Sequence, residues 1–198
     1  MTLRNLFYLL PLFLFFACEV EDKVLPGTQL LRNSNLSSDP DSVFPWMASQ
    51  SERIEIGISK EIFLTGNQSL FIANPDSLNF NAGTWSQTYA GPMPAPGSSM
   101  ELVAFVKGEN IRRTYPNAPS VLVTFQLTPR PEDEAYYKNG TNSSTDFFVE
   151  GGFDWTPIFV TIDNFPAEVD FIRVNLTTPR GVSGKIYFDE ITLTAKKN

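Results

Sequence analysis

Arg53-Ile54-Glu55-Ile56-Gly57-Ile58-Ser59 sets an isoleucine at every second position. Residues two apart on an extended chain share a face, so one side of this stretch is apolar and the other polar. It reads as a half-buried β-strand. The same reading extends outward. Met100–Lys107 (MELVAFVK), Ser120–Thr128 (SVLVTFQLT), Pro157–Asp163 (PIFVTID), Asp170–Leu176 (DFIRVNL) and Lys185–Thr194 (KIYFDEITLT) are rich in β-branched and aromatic residues, which suit a pleated surface. Turn formers separate the strands: Thr65-Gly66-Asn67, the Pro- and Gly-rich Ala90–Ser99, Lys138-Asn139-Gly140 and Pro179-Arg180-Gly181. Many short strands without alternating helices predict an all-β fold, an antiparallel β-sandwich or barrel.

Composition narrows the chemistry. The chain has 198 residues, 42% hydrophobic and 13% aromatic, which predicts one packed domain and not a disordered chain. It contains no His and one Cys. Ser-His-Asp and Cys-His sites need an imidazole, and zinc sites need His or several Cys, so these classes are excluded. Carboxylate chemistry, oxygen-ligand metals and binding without chemistry remain. With 15 Lys+Arg against 22 Asp+Glu, the net charge of −7 speaks against a nucleic-acid partner.

Residues 1–17 (MTLRNLFYLLPLFLFFA) carry an early Arg, an apolar run and a terminal small residue. This is the layout of a secretory signal, and the run is short for a membrane span of about 20 residues. Phe15-Phe16-Ala17-Cys18 resembles a bacterial lipobox, with Phe15 standing where Leu is usual. The resemblance implies that Cys18 becomes the lipidated first residue. Glu19, Glu21 and Asp22 resemble the acidic export signal of surface-exposed lipoproteins in Bacteroidota, implying a palmitate-bearing outer-membrane protein at the cell surface. Residues 18–27 then read as a tether and residues 28–198 as the domain.

Within that domain, short patches occur in a telling order. Leu30-Leu31-Arg32-Asn33-Ser34-Asn35-Leu36 and Gln68-Ser69-Leu70-Phe71-Ile72 come first. Trp85-Ser86-Gln87, Phe105-Val106-Lys107-Gly108-Glu109-Asn110, Asp154-Trp155-Thr156 and Gly184-Lys185-Ile186-Tyr187-Phe188-Asp189-Glu190-Ile191 follow. In this order they resemble carbohydrate-binding modules with the galactose-binding-domain-like jelly roll. The resemblance implies a jelly-roll β-sandwich and a polysaccharide or oligosaccharide ligand, with Trp155 in the core. The fold hosts many tasks.

A glycosidase needs two carboxyl groups at a set separation. Glu168 with Asp170, or Glu132-Asp133-Glu134, supply the residue types, but no strand carries the Glu-x-Asp-x-x-Glu spacing that small jelly-roll glucanases use to put carboxylates on one face, and no enzyme is expected. For binding, Trp85, Gln87 and Tyr89 share one face of their strand, with Thr84, Ser86 and Thr88 on the other. Aromatic rings stack on apolar sugar faces and amides pair with hydroxyls. Gln126 (with Thr124), and Arg173 with Asn175, would extend a polar sheet face. Trp46, Tyr136 and Tyr137 are further platform candidates. The alternative places Trp85 and Tyr89 in the core.

The closing strand changes phase between Phe188 and Ile191, which predicts a bulge at Asp189-Glu190. In the resembled modules an acid here helps hold a structural calcium. Asp189 with oxygens near Asn33 and Asn35 would be the set, although the family's acid in the opening strand falls at Ser37. The expectation is a lipid-anchored glycan-binding module, working with neighbouring surface glycan-use proteins. The alternative is an adhesion or structural lipoprotein that holds a protein partner.

Overall fold

The computed structural model describes residues 24–128 and 142–196. Cys18, Tyr136, Tyr137 and Glu132-Asp133-Glu134 lie outside them. The described strands are β1 (Met47–Gln50), β2 (Glu55–Ser59), β3 (Ser69–Asn74), β4 (Gly83–Tyr89), β5 (Ser99–Arg113), β6 (Val121–Thr128), β7 (Asn142–Phe147), β8 (Gly151–Ile162), β9 (Phe171–Thr178) and β10 (Val182–Lys196). No helix occurs among the described residues. One sheet runs β1-β4-β9-β6-β7 and the other β2-β3-β10-β5-β8, with antiparallel pairing throughout. The fold is the antiparallel β-sandwich that the period-two alternation predicted.

Register decides which side chains face inward. Trp85 lies opposite Leu176, which lies opposite Val123, and the next inward row is Gln87, Val174 and Phe125. From the other sheet Leu70, Ile72, Met100, Leu102, Ile186 and Phe188 complete the core. In β5 buried and partly exposed residues alternate from Ser99 to Glu109, the pattern of a strand with one wet face. Trp155 is only half-buried on the edge strand β8, so its expected core placement is corrected.

Two irregularities in β10 shape the surface. The pairing with β5 slips between Asp189 and Thr192, and Glu190 takes φ 47°. This is the bulge that the phase change predicted. A second slip falls between Ser183 and Lys185. There Gly184 sits at φ 111°, and a Cβ on it would come within 2.7 Å of the Glu109 carbonyl oxygen, so only glycine fits. The start of the described chain docks on the end of β10. The Gly27 N–H donates to the Ala195 carbonyl at 2.7 Å, and Val24 packs against the core.

Candidate functional site

The outer face of the first sheet is largely polar, with exposed Met47 opposite Ser86 at its β1 edge. Ser86, Asn175 and Thr124 form one cross-strand row, and Thr88, Arg173 and Gln126 form the next. Neighbouring strands lie about 4.8 Å apart, so each row is a short ladder of hydrogen-bonding groups. The Arg173 Nε donates to the Thr88 hydroxyl at 3.3 Å. The Thr84 and Thr177 hydroxyls pair at 3.0 Å. The structure therefore brings Gln126, Arg173 and Asn175 together.

It separates them from the expected aromatic platform. Trp85, Gln87 and Tyr89 do share a face of β4, but it is the inward one. Trp85 is 5% exposed, and its Nε1 donates to the Phe71 carbonyl at 3.1 Å. Gln87 is 3% exposed. Its Oε1 accepts from the Arg32 N–H at 2.8 Å and its Nε2 donates to the Arg32 carbonyl at 3.0 Å, pinning the chain there from both sides. The Tyr89 hydroxyl donates to the Pro92 carbonyl at 2.6 Å; burial raises its pKa. Trp46 is also buried, with Nε1 directed at the Asn33 carbonyl. Trp85, Gln87 and Trp46 serve the core and its loops, because each polar atom finds a backbone partner that lets it stay inside, while Tyr89 is partly buried and packs against that core.

Exposed rings occur elsewhere, at the end of the sandwich where β4 and β6 begin and β5 and β9 stop. Phe80 is 50% and Tyr115 53% exposed, yet they pair at 6.2 Å between ring centroids, tilted by 43°. Their loops are tied down. The Thr114 N–H donates to the Gly181 carbonyl at 2.8 Å, and its hydroxyl to the Ser77 carbonyl at 2.6 Å. The Asn79 and Asn81 side chains both donate to the Glu52 carbonyl. Two solvated rings are thus presented on a fixed frame. Sequence reasoning passed over them because a lone aromatic between turn formers has no periodicity. The flanking asparagines of Asn79-Phe80-Asn81 were the available signal.

No protein-family model and no curated protein matches the chain. Solved structures do. A CBM61 module in complex with β-1,4-galactotriose superposes with a TM-score of 0.54 at 14% identity, covering 85% of this chain and 99% of that one. In fold, the chain is similar to a carbohydrate-binding module. The enzymatically active domain of bacteriophage CBA120 tailspike protein 4 gives 0.55 at 16% identity over 84% of this chain, which spans 21% of the tailspike chain. An arabinose-bound α-L-arabinofuranosidase, MgGH51, gives 0.53 at 13% identity, over 85% of this chain and 26% of that one. Identities this low speak for the fold alone.

A structural calcium is the metal that the family resemblance implies, and the set expected for it, Asp189 with oxygens near Asn33 and Asn35, does not fit it. Asp189 is fully buried in the bulge. Its Oδ2 accepts from the backbone N–H groups of Leu64 at 2.7 Å and Thr65 at 3.1 Å, and its Oδ1 from that of Glu190 at 2.8 Å. Burial pushes its carboxyl pKa up, while the amides of Thr65, Leu64 and Glu190 pull the other way. The Glu190 carboxylate accepts from the Thr65 hydroxyl. The Asn33 and Asn35 side-chain oxygens accept from the N–H groups of Ser38 and Ser37. The Ser34 carbonyl accepts from Ile191. Where carbonyls do converge, those of Leu36, Asp39 and Ser42 meet the Gln68 Nε2 amide at 2.5, 2.8 and 3.4 Å. Calcium needs six to eight oxygens facing one point. The side-chain oxygens of Asp189, Asn33 and Asn35 here face backbone N–H donors.

Proposed function

We propose that this chain is a lipid-anchored, envelope-facing module that binds glycan without cleaving it. The observation that carries the reading is the fixed, half-exposed Phe80–Tyr115 pair, since rings held in water at loop tips suit the apolar faces of sugars. The fold is one that serves as a carbohydrate-binding module elsewhere, which supports the class of ligand. The polar face with Gln126, Arg173 and Asn175 offers a second surface for hydroxyl groups. Glu168 and Asp170 flank buried Val169 on an exposed loop, an arrangement suited to solvation more than to paired-carboxylate chemistry.

Against a glycan panel, Phe80→Ala and Tyr115→Ala are each expected to weaken binding about tenfold or more. The melting temperature should stay close to wild type, because half-exposed rings add little to the core. If both variants bind normally while Arg173→Ala loses the ligand, the site moves to the open sheet face. If none of the three changes binding to a confirmed glycan, both sites are wrong.

Leu78 is 69% and Phe148 50% exposed at the same end. Such an apolar surround also suits a protein partner, which is the second reading. Leu78→Ser should spare glycan binding and remove partner binding.

Residues 1–17 are proposed as the signal peptide, and Cys18 as the lipidated residue of an outer-membrane, surface-exposed protein. Cys18→Ser should abolish incorporation of a palmitate analogue and release a folded domain, because the sandwich uses no disulfide. A label that persists in this variant overturns the anchor.

A further inference from the structure

A groove of about 770 Å³ opens at the end of the second sheet, where the strands run into the loops that carry the ring pair. It shares its walls with the loops that carry the rings. Asn74 ends β3 and Pro75 begins the connection to β4 that leads to Phe80, Arg112 is three residues before Tyr115, and Arg53 adjoins Glu52, whose carbonyl holds Asn79 and Asn81. We propose that this groove receives a negatively charged substituent of the bound saccharide, a uronate carboxylate or a sulfate ester. The inference rests on the glycan reading above and adds the charge class of the sugar.

The groove is built by irregular backbone. Gly184 at φ 111°, Asn110 at φ 54° and Arg53 at φ 63° all line it, and the β5 and β10 registers slip beside it. Bulges of this kind re-aim side chains and occur often at functional sites. A regular ladder would fill the space: the missing Cβ of Gly184 would lie 2.7 Å from the Glu109 carbonyl and 2.8 Å from that of Asn110.

The charge lining it is unusual for this chain. Arg53, Arg112 and Lys185 face Glu55 and Glu109, which leaves a positive excess in a protein of net charge −7. These opposite charges are not spent on one another. The Glu109 Oε2 accepts from the Tyr187 hydroxyl at 3.1 Å, and burial with that bond pushes the phenol pKa up to about 12, so the donor stays protonated. The Lys185 Nζ lies 3.9 Å from the centre of the Phe71 ring and 5.3 Å from that of Tyr187, a cation–π seat. Among the described residues neither the Arg53 nor the Arg112 guanidinium has an ion-pair partner. Arginine's planar fork matches the oxygens of a carboxylate or sulfate. Two such forks remain open at the groove, and the flanking carboxylates disfavour a multiply charged group.

The test compares trigalacturonate with its methyl ester, and galactotriose with its 6-sulfate, on the full-length protein in detergent. The ester keeps the ring and removes the charge. The acidic member of at least one pair should bind about tenfold more tightly than its neutral partner, with the preference shrinking as salt rises. Arg112→Gln and Arg53→Asn should each remove that preference while leaving the neutral affinity and the melting temperature in place. Asn is chosen because it tolerates positive φ. Equal affinity within both pairs overturns the inference and leaves the glycan reading standing. A charge preference that survives both arginine variants also overturns it. Unchanged binding in Phe80→Ala and Tyr115→Ala instead strikes the ring platform on which the inference rests.

Discussion

Trp85→Ala is expected to destabilise the protein by about 3–5 kcal/mol, the usual cost of truncating a buried Trp. In a domain of this size that corresponds to a fall in melting temperature of roughly 10 °C, taking about 2–4 °C per kcal/mol. The ring is 5% exposed and lies in the inward row with Leu176 and Val123. Its Nε1–H spans to β3 in the opposite sheet to reach the Phe71 carbonyl. Truncation therefore opens a cavity between the sheets and removes a bond that joins them. Trp85→Phe restores much of the volume without the donor, so it should recover part of the loss. A thermal melt that moves by less than about 2 °C in Trp85→Ala would show that the ring is not in the core. The contrast with Phe80→Ala matters, since the same class of substitution should there change binding and spare the melt.

The period of β4 was legible in the sequence, but its inward side was not. Thr84, Ser86 and Thr88 are polar, and so is Gln87 between two aromatics on the alternate face. Alternation assigns these residues to two faces without saying which is wet. Gln87 faces inward because both ends of its amide meet the Arg32 backbone, a contact 55 residues distant that no local pattern encodes. The burial of Trp46 is equally non-local, since its Nε1 reaches the Asn33 carbonyl 13 residues away. By contrast, the bulge at Asp189-Glu190 was legible. An odd step between apolar residues of one strand is a local signal, and register is strictly tied to face. Gln126, Arg173 and Asn175 were grouped correctly because open-face polar residues on adjacent strands obey that same parity. The groove with Arg53 and Arg112 was hidden, because it arises from backbone irregularities in strands far apart in sequence.

Asp189→Ala should destabilise the protein by roughly 3 kcal/mol at pH 7, and chelator should leave the wild-type melt unchanged. The carboxylate is fully buried and accepts three backbone N–H groups, from Leu64, Thr65 and Glu190. A buried donor left without a partner costs about 1–3 kcal/mol, and water entering the loosened loop recovers part of that sum. Asp189→Asn should not rescue fully. Its amide offers one oxygen where two are used, and turns an NH₂ toward donors. Neutral pH keeps the measurement clear of a separate effect. Burial raises the native pKa, so proton binding adds native stability that is fully present below the ordinary value of 3.8 and lost as pH rises through the raised one. If the carboxylate instead held calcium, chelator would lower the wild-type melt, because a ligand bound only by the native state stabilises it by mass action. Asp189→Ala would then be insensitive to chelator. A chelator-sensitive wild type paired with an insensitive variant would overturn the hydrogen-bonded account of this loop. An insensitive wild type with a strongly destabilised variant would establish Asp189 as the acceptor that closes the 60–67 loop onto β10.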